Sequence, residues 1–382
     1  MVRKLESGLN RIANSATLQS MTETKIWRAI GLMTGTSMDG VDAAYVETDG
    51  EGIVRPGPAI ALPYPTELVA ELRQYLGKRT APDELVQRLT DRNTDAVLRL
   101  IEANNLSAGE IDIVGYHGQT ILHEPHLGRT TQLGDGERLA KSIGVDVVND
   151  LRSADMAEGG QGAPLVPVFH KALVSEMALP VAVVNIGGVA NVTWIGTGAD
   201  DLLGFDTGPG NALIDEWARR TLGTPMDEGG ALAASGNIDE GCLADLLDHP
   251  YFAAPPPKSL DRLAFDAHVE PIVAGLSDAE GAATLTALTA ATIISSERFF
   301  PAPVKRWILA GGGCHNPQLV RETRARTDVS VELAQDLGWN SDVLEAQAFA
   351  YLAVRSRLGL ALTFPGTTGC KVPVSGGVLY RK

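Results

Sequence analysis

Eight consecutive residues, Gly35-Thr36-Ser37-Met38-Asp39-Gly40-Val41-Asp42, place two glycines, two hydroxyls and two carboxylates between apolar runs. Gly35 and Gly40 allow a backbone path that other residues resist, and Thr36 and Ser37 add hydroxyl donors. The stretch therefore has the parts of a phosphate-holding hairpin. Asp39 and Asp42 would repel an anion, so beside a nucleotide they would work through a divalent cation or its waters. That combination suggests Mg²⁺-nucleotide chemistry. A glycine-rich hairpin without a ligand is the competing reading.

Three more turns and one loop are built from related parts. Gly204-Phe205-Asp206-Thr207-Gly208-Pro209-Gly210-Asn211 sets a carboxylate at the end of an apolar strand, ahead of glycines and a helix start. Ligands of α/β sheets sit at such strand ends and a helix N-terminus favours an anion. Asp206 could serve there as a general base, or simply cap the next turn. Asn185-Ile186-Gly187-Gly188 and Gly311-Gly312-Gly313-Cys314-His315-Asn316 present bare backbone that a phosphate or a flat ring can approach closely. The loop from Asn149 to Leu165 contains Arg152, Asp155 and Gly159-Gly160-Gln161-Gly162. It is long and mixed for a plain connection, and it suits a polar substrate with hydroxyls and a carboxylate.

Other chemistries lack their signatures. His117, His123, Glu124 and His126 are close in sequence, but His123-Glu124-Pro125-His126 lacks the spacing of a helical zinc pair and Pro125 disfavours a helix. A turn whose polar groups meet substrate or backbone is the expectation there. Gly77-Lys78-Arg79 is not a P-loop. No Gly-x-Gly-x-x-Gly follows a strand, and no Gly-x-Ser-x-Gly elbow occurs.

The elements that must position these turns follow from hydrophobic period. Trp27 to Met33, Val41 to Thr48 and Ala59 to Leu62 form a strand meander, with period two at Val41, Ala43 and Tyr45. Helices are expected over Thr66 to Leu76 and Asp83 to Ala103, the latter with apolar Leu85, Leu89, Val97, Leu98 and Leu100, before a buried strand from Ile111 to Tyr116. Strands near Gln132 and over Val145 to Val148, and a helix over Ala163 to Glu176, come next. The opening plan then returns as strands Val181 to Ile186, Asn191 to Ile195 and Leu202 to Phe205, followed by a helix from Asn211 to Leu222. A helix over Ala282 to Phe300, strand Trp307 to Ala310, helix Asn316 to Arg326, strand Val329 to Leu333 and a Ser341-capped helix to Leu358, with Glu345 in its first turn, complete the pattern. The class is α/β, as two related lobes that meet between Asn149 and Pro180.

Composition bounds the setting. At 382 residues the chain is long enough for two domains. A formal net charge of −15 argues against nucleic acid as a partner, since phosphate neutralisation needs a basic surface. The three dispersed cysteines, Cys242, Cys314 and Cys370, fit a reducing compartment. Met1 to Ser20 lacks the apolar core of a signal peptide, and no run reaches the roughly 18 apolar residues of a membrane span. A cytoplasmic protein without a membrane partner is the expectation.

Six motifs in order, from Met33 to Asp42, His117-Gly118-Gln119-Thr120, Gly159 to Pro167, Asn185 to Gly188, Gly204 to Asn211 and Gly311 to Gly313, resemble those of the anhydro-N-acetylmuramic acid kinase family. The resemblance runs from about Ile26 to the C-terminus. It implies the fold of acetate and sugar kinases, heat-shock ATPases and actin: two ribonuclease H-like lobes, each a mixed sheet flanked by helices, closing over ATP. The lobes are expected at 26–160 and 161–382, after an N-terminal extension over 1–25. Gly35, Thr36, Ser37, Met38, Asp39, Gly40 and Asp42 would form the first phosphate hairpin. Asn185, Gly187 and Gly188 would form the second, with Gly311, Gly312 and Gly313 near the adenosine. Asp206 matches the family's catalytic aspartate, and Asp39 would lie on the Mg²⁺ side. His117, Gln119, Thr120, Arg152, Asp155, Gln161, Gly208 and Asn211 would surround the sugar. Pro255-Pro256-Pro257-Lys258-Ser259 keeps the family's Pro-Lys-Ser core and departs from its pattern afterwards. The implied reaction takes ATP, water and 1,6-anhydro-N-acetylmuramic acid to N-acetylmuramic acid 6-phosphate and ADP, in peptidoglycan recycling, with a homodimer as the implied assembly. A kinase of another sugar or carboxylate, and a non-catalytic actin-like ATP-binding module, are the alternatives.

Overall fold

The computed structural model describes residues 24–35, 38–198, 200–260 and 262–382, with only the backbone course of 262–264 and 266. The N-terminal extension up to residue 23 and two hairpin residues, Thr36 and Ser37, lie outside the described residues.

The first meander is β1 (Trp27–Met33), β2 (Gly40–Thr48) and β3 (Val54–Pro63), followed by helices α1 (Thr66–Arg73) and α2 (Asp83–Ala103). Strand β4 (Ile113–Tyr116), hairpin β5 (Gln119–Glu124) with β6 (Arg129–Leu133), helix α3 (Gly136–Ile143) and strand β7 (Val147–Asn149) come next. Leu85, Leu89, Ala96, Val97 and Leu100 of α2 recur at helical spacing and are buried against the sheet. Leu98 falls off that stripe and is 44% exposed, so it does not belong to the core face expected of it.

Two short helices, α4 (Ser153–Ala157) and α5 (Pro167–Leu173), lead to a second meander, β8 (Val181–Ile186), β9 (Val189–Ile195) and β10 (Leu202–Pro209). The helix expected over Ala163 to Glu176 is thus shorter. Pro164 disfavours helical backbone at Ala163, and the helix opens on Pro167, which needs no N–H at that position.

After α6 (Ala212–Thr221) a helical layer follows that sequence period did not outline: α7 (Ala231–Ser235), α8 (Glu240–Leu247), α9 (Pro250–Ala253) and α10 (Arg262–Val273). It shares an apolar core with α6 and α11 (Asp278–Ser295). Strand β11 (Arg306–Ala310), helix α12 (Pro317–Arg324), strand β12 (Ser330–Leu333), helices α13 (Leu344–Leu358) and α14 (Pro365–Thr368) and strand β13 (Val378–Tyr380) complete the chain. Ser341 does not cap α13. Residues 341–343 form a turn in which Asn340 accepts from the N–H of Asp342, and the helix starts at Leu344.

The two main sheets share one topology. In one, the order is β3-β2-β1-β4-β7, with an antiparallel meander extended by two parallel strands. The other repeats it as β10-β9-β8-β11-β12. The C-terminal segment then returns to the first sheet, where β13 pairs antiparallel with β7. Helix α13 packs there too, close enough that a Cβ at Gly31 would lie 1.8 Å from the Ala346 carbonyl oxygen, and one at Gly115 2.0 Å from that of Phe349. A single cut near residue 160 therefore leaves α13 and β13 on the second-lobe side, although both belong physically with the first sheet. One continuous core containing α5 and α13 joins both sheets. Among the described residues, no helix is long and apolar enough to cross a membrane.

Candidate active site

The β1–β2 turn closes through the Met38 N–H, which donates to Gly35 O at 3.2 Å. Met38 has φ +58°, a conformation that costs a side chain strain. A Cβ at Gly40 would sit 2.6 Å from the Leu62 carbonyl oxygen, so only glycine allows β3 this close. The turn after β4 touches the same hairpin, because Thr34 Oγ1 donates to Gly118 O at 2.9 Å and Gln119 Nε2 donates to Gly35 O at 3.1 Å. Burial and the neighbouring carboxylates Asp39, Glu345 and Asp342 push Asp42 up to about 6. A divalent cation carried by a nucleotide would relieve that repulsion. Among the described residues no three His, Cys, Asp or Glu side chains are placed to hold a metal by themselves. Two neighbouring carboxylates, Asp39 and Asp42, are oxygen donors of the kind that suit an ion whose other ligands are phosphate and water.

The second hairpin lies between β8 and β9. The N–H groups of Asn211 and Ala212, at the start of α6, donate to Gly187 O at 2.8 Å and Gly188 O at 3.2 Å. Asn211 Nδ2 reaches Ile186 O at 3.3 Å. The turn after β11 packs on the same place: Gly311 has φ +80°, and a Cβ there would lie 2.3 Å from Asn185 Oδ1. A Cβ at Gly313 would meet the Ile186 side chain at 2.3 Å. The structure therefore brings Asn185, Gly187, Gly188, Asn211 and the three glycines Gly311 to Gly313 into one cluster, with Asn185 Nδ2 donating to Glu345 Oε1 at 3.3 Å.

A cavity of about 150 Å³ is lined by Met33, Arg152, Ala163 to Val166, Asn191, Asp206, Ser259, Glu345 and Phe349. Asp206 sits where β10 bulges, its register with β9 shifting between Asp206 and Gly208. Its Oδ2 accepts from Leu260 N at 2.8 Å. Desolvation pushes the carboxyl up to about 6, against the opposing pull of that hydrogen bond and of Lys258. A carboxylate near that value can accept a proton at neutral pH and still be ionised.

Arg152 donates to His117 Nε2 from Nε at 3.2 Å and to Gly162 O from its other branch at 2.6 Å. Burial, and then the Arg152 charge, hold His117 well below the usual imidazole range, so it is neutral and accepts through Nε2. Burial lowers Arg152 itself to about 10, against attraction from Glu345 and Asp155. Glu345 is raised, first by desolvation, with Arg152 opposing.

Two expected substrate residues face elsewhere. Asp155 is 1% exposed, and its oxygens accept from Thr368 Oγ1 and Gly162 N, each at 2.6 Å. It ties down its own loop, since a polar loop crossing the interior must satisfy its backbone groups. Gly208 backs onto the Phe252 and Thr292 side chains, because the bulge turns it toward α11. Gln161 reaches across to Pro257 O at 3.3 Å, and Thr120 Oγ1 accepts from Gln132 Nε2 at 3.2 Å on the β5–β6 hairpin. His123 pairs with Thr130 at 3.2 Å. Glu345, Phe349 and Asn191 were not singled out from sequence as cavity residues. Glu345 was visible only as a first-turn glutamate, and its place at the cavity depends on α13 crossing to the first sheet.

The sequence profile of a family described as anhydro-N-acetylmuramic acid kinase matches residues 27–382. A protein of that name from Rhizorhabdus wittichii is 50% identical over 362 residues, spanning 92% of this chain and 98% of its own length. Its namesake from Rhodospirillum rubrum is 49% identical over 360 residues, spanning 93% and 94%. Among solved structures, the activator of the 2-hydroxyisocaproyl-CoA dehydratase from Clostridium difficile with bound ADPNP is similar at TM-score 0.45 and 12% identity, covering 86% of this chain and 94% of that one.

Proposed function

This chain belongs to the anhydro-N-acetylmuramic acid kinase family, and from that premise we propose that the cavity beside Asp206 opens and phosphorylates 1,6-anhydro-N-acetylmuramic acid. The observation that carries the reading is the Asp206 carboxylate, pushed up to about 6 at the bulge of β10, lining a cavity with Arg152 and Glu345.

Asp206 Oδ2 is engaged by Leu260 N, so Oδ1 is the oxygen that takes a proton from water. That water's oxygen forms a bond to the anomeric carbon of the sugar as the bond from that carbon to O6 breaks. The released O6 bonds to the γ-phosphorus of ATP, and the bond from that phosphorus to the β,γ-bridging oxygen breaks to leave ADP. The amides of the two hairpins, Gly35 to Gly40 and Asn185 to Gly188, hold the phosphates, and the turn Gly311 to Gly313 lies near the adenosine. Asp39, with Asp42 behind it, would hold a Mg²⁺ ion that neutralises phosphate charge when bound. Arg152 and neutral His117 orient the sugar, together with Gln119 and Asn211. The setting is peptidoglycan recycling in the cytoplasm.

The test is to incubate the protein with ATP and the anhydro sugar in heavy-oxygen water. Phosphorus NMR should place phosphate on O6, and mass spectrometry should place the solvent oxygen on C1. Turnover of a simple hydroxylated sugar, with none of the anhydro sugar, would overturn the reading.

A further inference from the structure

Next to Asp206, and outside the cavity lining, lies Lys258, whose backbone oxygen accepts from Asp206 N at 3.0 Å. The segment from α9 to Leu260 brackets the aspartate with three hydrogen bonds. Tyr251 Oη donates to Asp206 O at 2.7 Å, Asp206 N donates to Lys258 O at 3.0 Å, and Leu260 N donates to Asp206 Oδ2 at 2.8 Å. Asp206 is thus held from its carbonyl, its amide and its side chain by one short piece of chain. That piece hangs from the helical layer and belongs to neither sheet.

The ammonium group of Lys258 is placed with equal care. Its Nζ donates to Tyr251 O at 3.0 Å and Phe252 O at 3.4 Å, and lies 4.6 Å from the Tyr251 ring centre and 4.7 Å from that of Phe299. Phe205, the residue before the aspartate, is the third ring at 5.8 Å. Such a cage stabilises a cation that has lost part of its hydration. Among the described residues Lys258 forms no salt bridge. A half-buried ammonium without a touching carboxylate is costly, and Asp206 is the acidic group whose attraction it feels. The cavity is lined by Ser259 and not by Lys258, whose ammonium group is turned to the Tyr251 and Phe252 carbonyls.

We propose that Lys258 is a positioning residue for Asp206: its backbone fixes where the carboxylate points, and its caged charge keeps that carboxylate ionised at the pH of turnover. The proposal rests on the reading of Asp206 as the base. The other charged or titratable groups facing this pair are Arg298 and Tyr251 beside Lys258, and Arg152 and Glu345 on the cavity side. Tyr251 stays neutral, because burial raises it far above its ordinary range. Lys258, lowered by burial to about 8, is still charged through the range in which Asp206 titrates.

The experiment is the pH dependence of kcat for Lys258→Met and Lys258→Arg in the full chain, with ATP affinity measured in parallel. Loss of the positive charge makes the carboxylate harder to ionise, so the acidic limb of Lys258→Met should move up by about one pH unit. The loss in kcat relative to the unmodified protein is then about fivefold larger at pH 6 than at pH 8. ATP affinity should hold. Lys258→Arg should return the limb toward its original position. If Lys258→Met does not fold, Lys258→Gln, which keeps an N–H donor for the carbonyls and drops the charge, is judged on the same profile. A limb that stays put in a folded, charge-free variant overturns the proposal. Asp206→Asn separates the two ideas: if that variant is inactive while the limb of Lys258→Met is unmoved, only the role of Lys258 fails. If it turns over normally, the base assignment fails first.

Discussion

Asp206 and Asp155 show how one residue type takes opposite roles. Asp155 has a donor for each oxygen and is spent on holding a loop, whereas Asp206 has one oxygen engaged and a carboxyl raised to about 6 by desolvation. Replacing Asp206 by Asn should lower turnover by about 10²-fold or more and leave nucleotide binding nearly unchanged, as measured by single-turnover kinetics and calorimetry. In the unmodified protein kcat/KM should fall as pH drops through about 6, because the base must be ionised. Stability carries the opposite sign. A folded pKa above the unfolded carboxylate value of about 3.9 means that this group's contribution is present at low pH and lost as pH rises through about 6. Asp206→Asn should therefore have a melting temperature at pH 7.5 no lower than that of the unmodified protein. A marked drop would show that the carboxylate is structural.

The elements are held in place by glycines where helix meets sheet. Gly31 in β1 and Gly115 in β4 let α13 lie directly on the first sheet, since added Cβ atoms would fall 1.8 Å and 2.0 Å from helix carbonyl oxygens. Gly31→Ala should destabilise the fold by about 3 kcal/mol or more, because backbone of the helix or strand must shift. Denaturant unfolding measures this. Since α13 carries Glu345 and Phe349 to the cavity, the same substitution should impair turnover in whatever fraction remains folded. Retention of both stability and activity would mean that the contact is looser than described. Sequence period located α13 but could not give its partner sheet. Its hydrophobic residues occupy nearly its whole circumference, and such a helix is buried all round with no face to read.

At the scale of the molecule, two sheets of one topology are joined by α5 and α13 through one apolar core. A ligand held by both hairpins should stabilise the whole. With a non-hydrolysable ATP analogue at one hundred times its dissociation constant, the gain is about 2.7 kcal/mol, visible as a rise in melting temperature. Chelating divalent cations should abolish turnover and reduce that rise, since Asp39 and Asp42 would then face phosphate uncompensated. An equal rise with and without chelator would argue against a metal at this hairpin.

The sequence by itself determined the strands of the two meanders, the glycine turns and the order of the motifs, because strand alternation and turn chemistry are local properties with short periods. It also singled out Asp206 through the glycine-rich run Gly204 to Asn211, although the strand expected to end at Phe205 continues through Asp206 to Pro209. Only the tertiary structure decided which carboxylates share a cavity. Asp155 left it, Glu345 entered it, and Lys258 took its place beside Asp206, because each outcome depends on contacts between residues 45 to 213 positions apart in a chain of 382. The return of α13 and β13 to the first sheet belongs to the same class. No local pattern encodes it, since the glycines that admit the helix and the helix itself are separated by most of the chain.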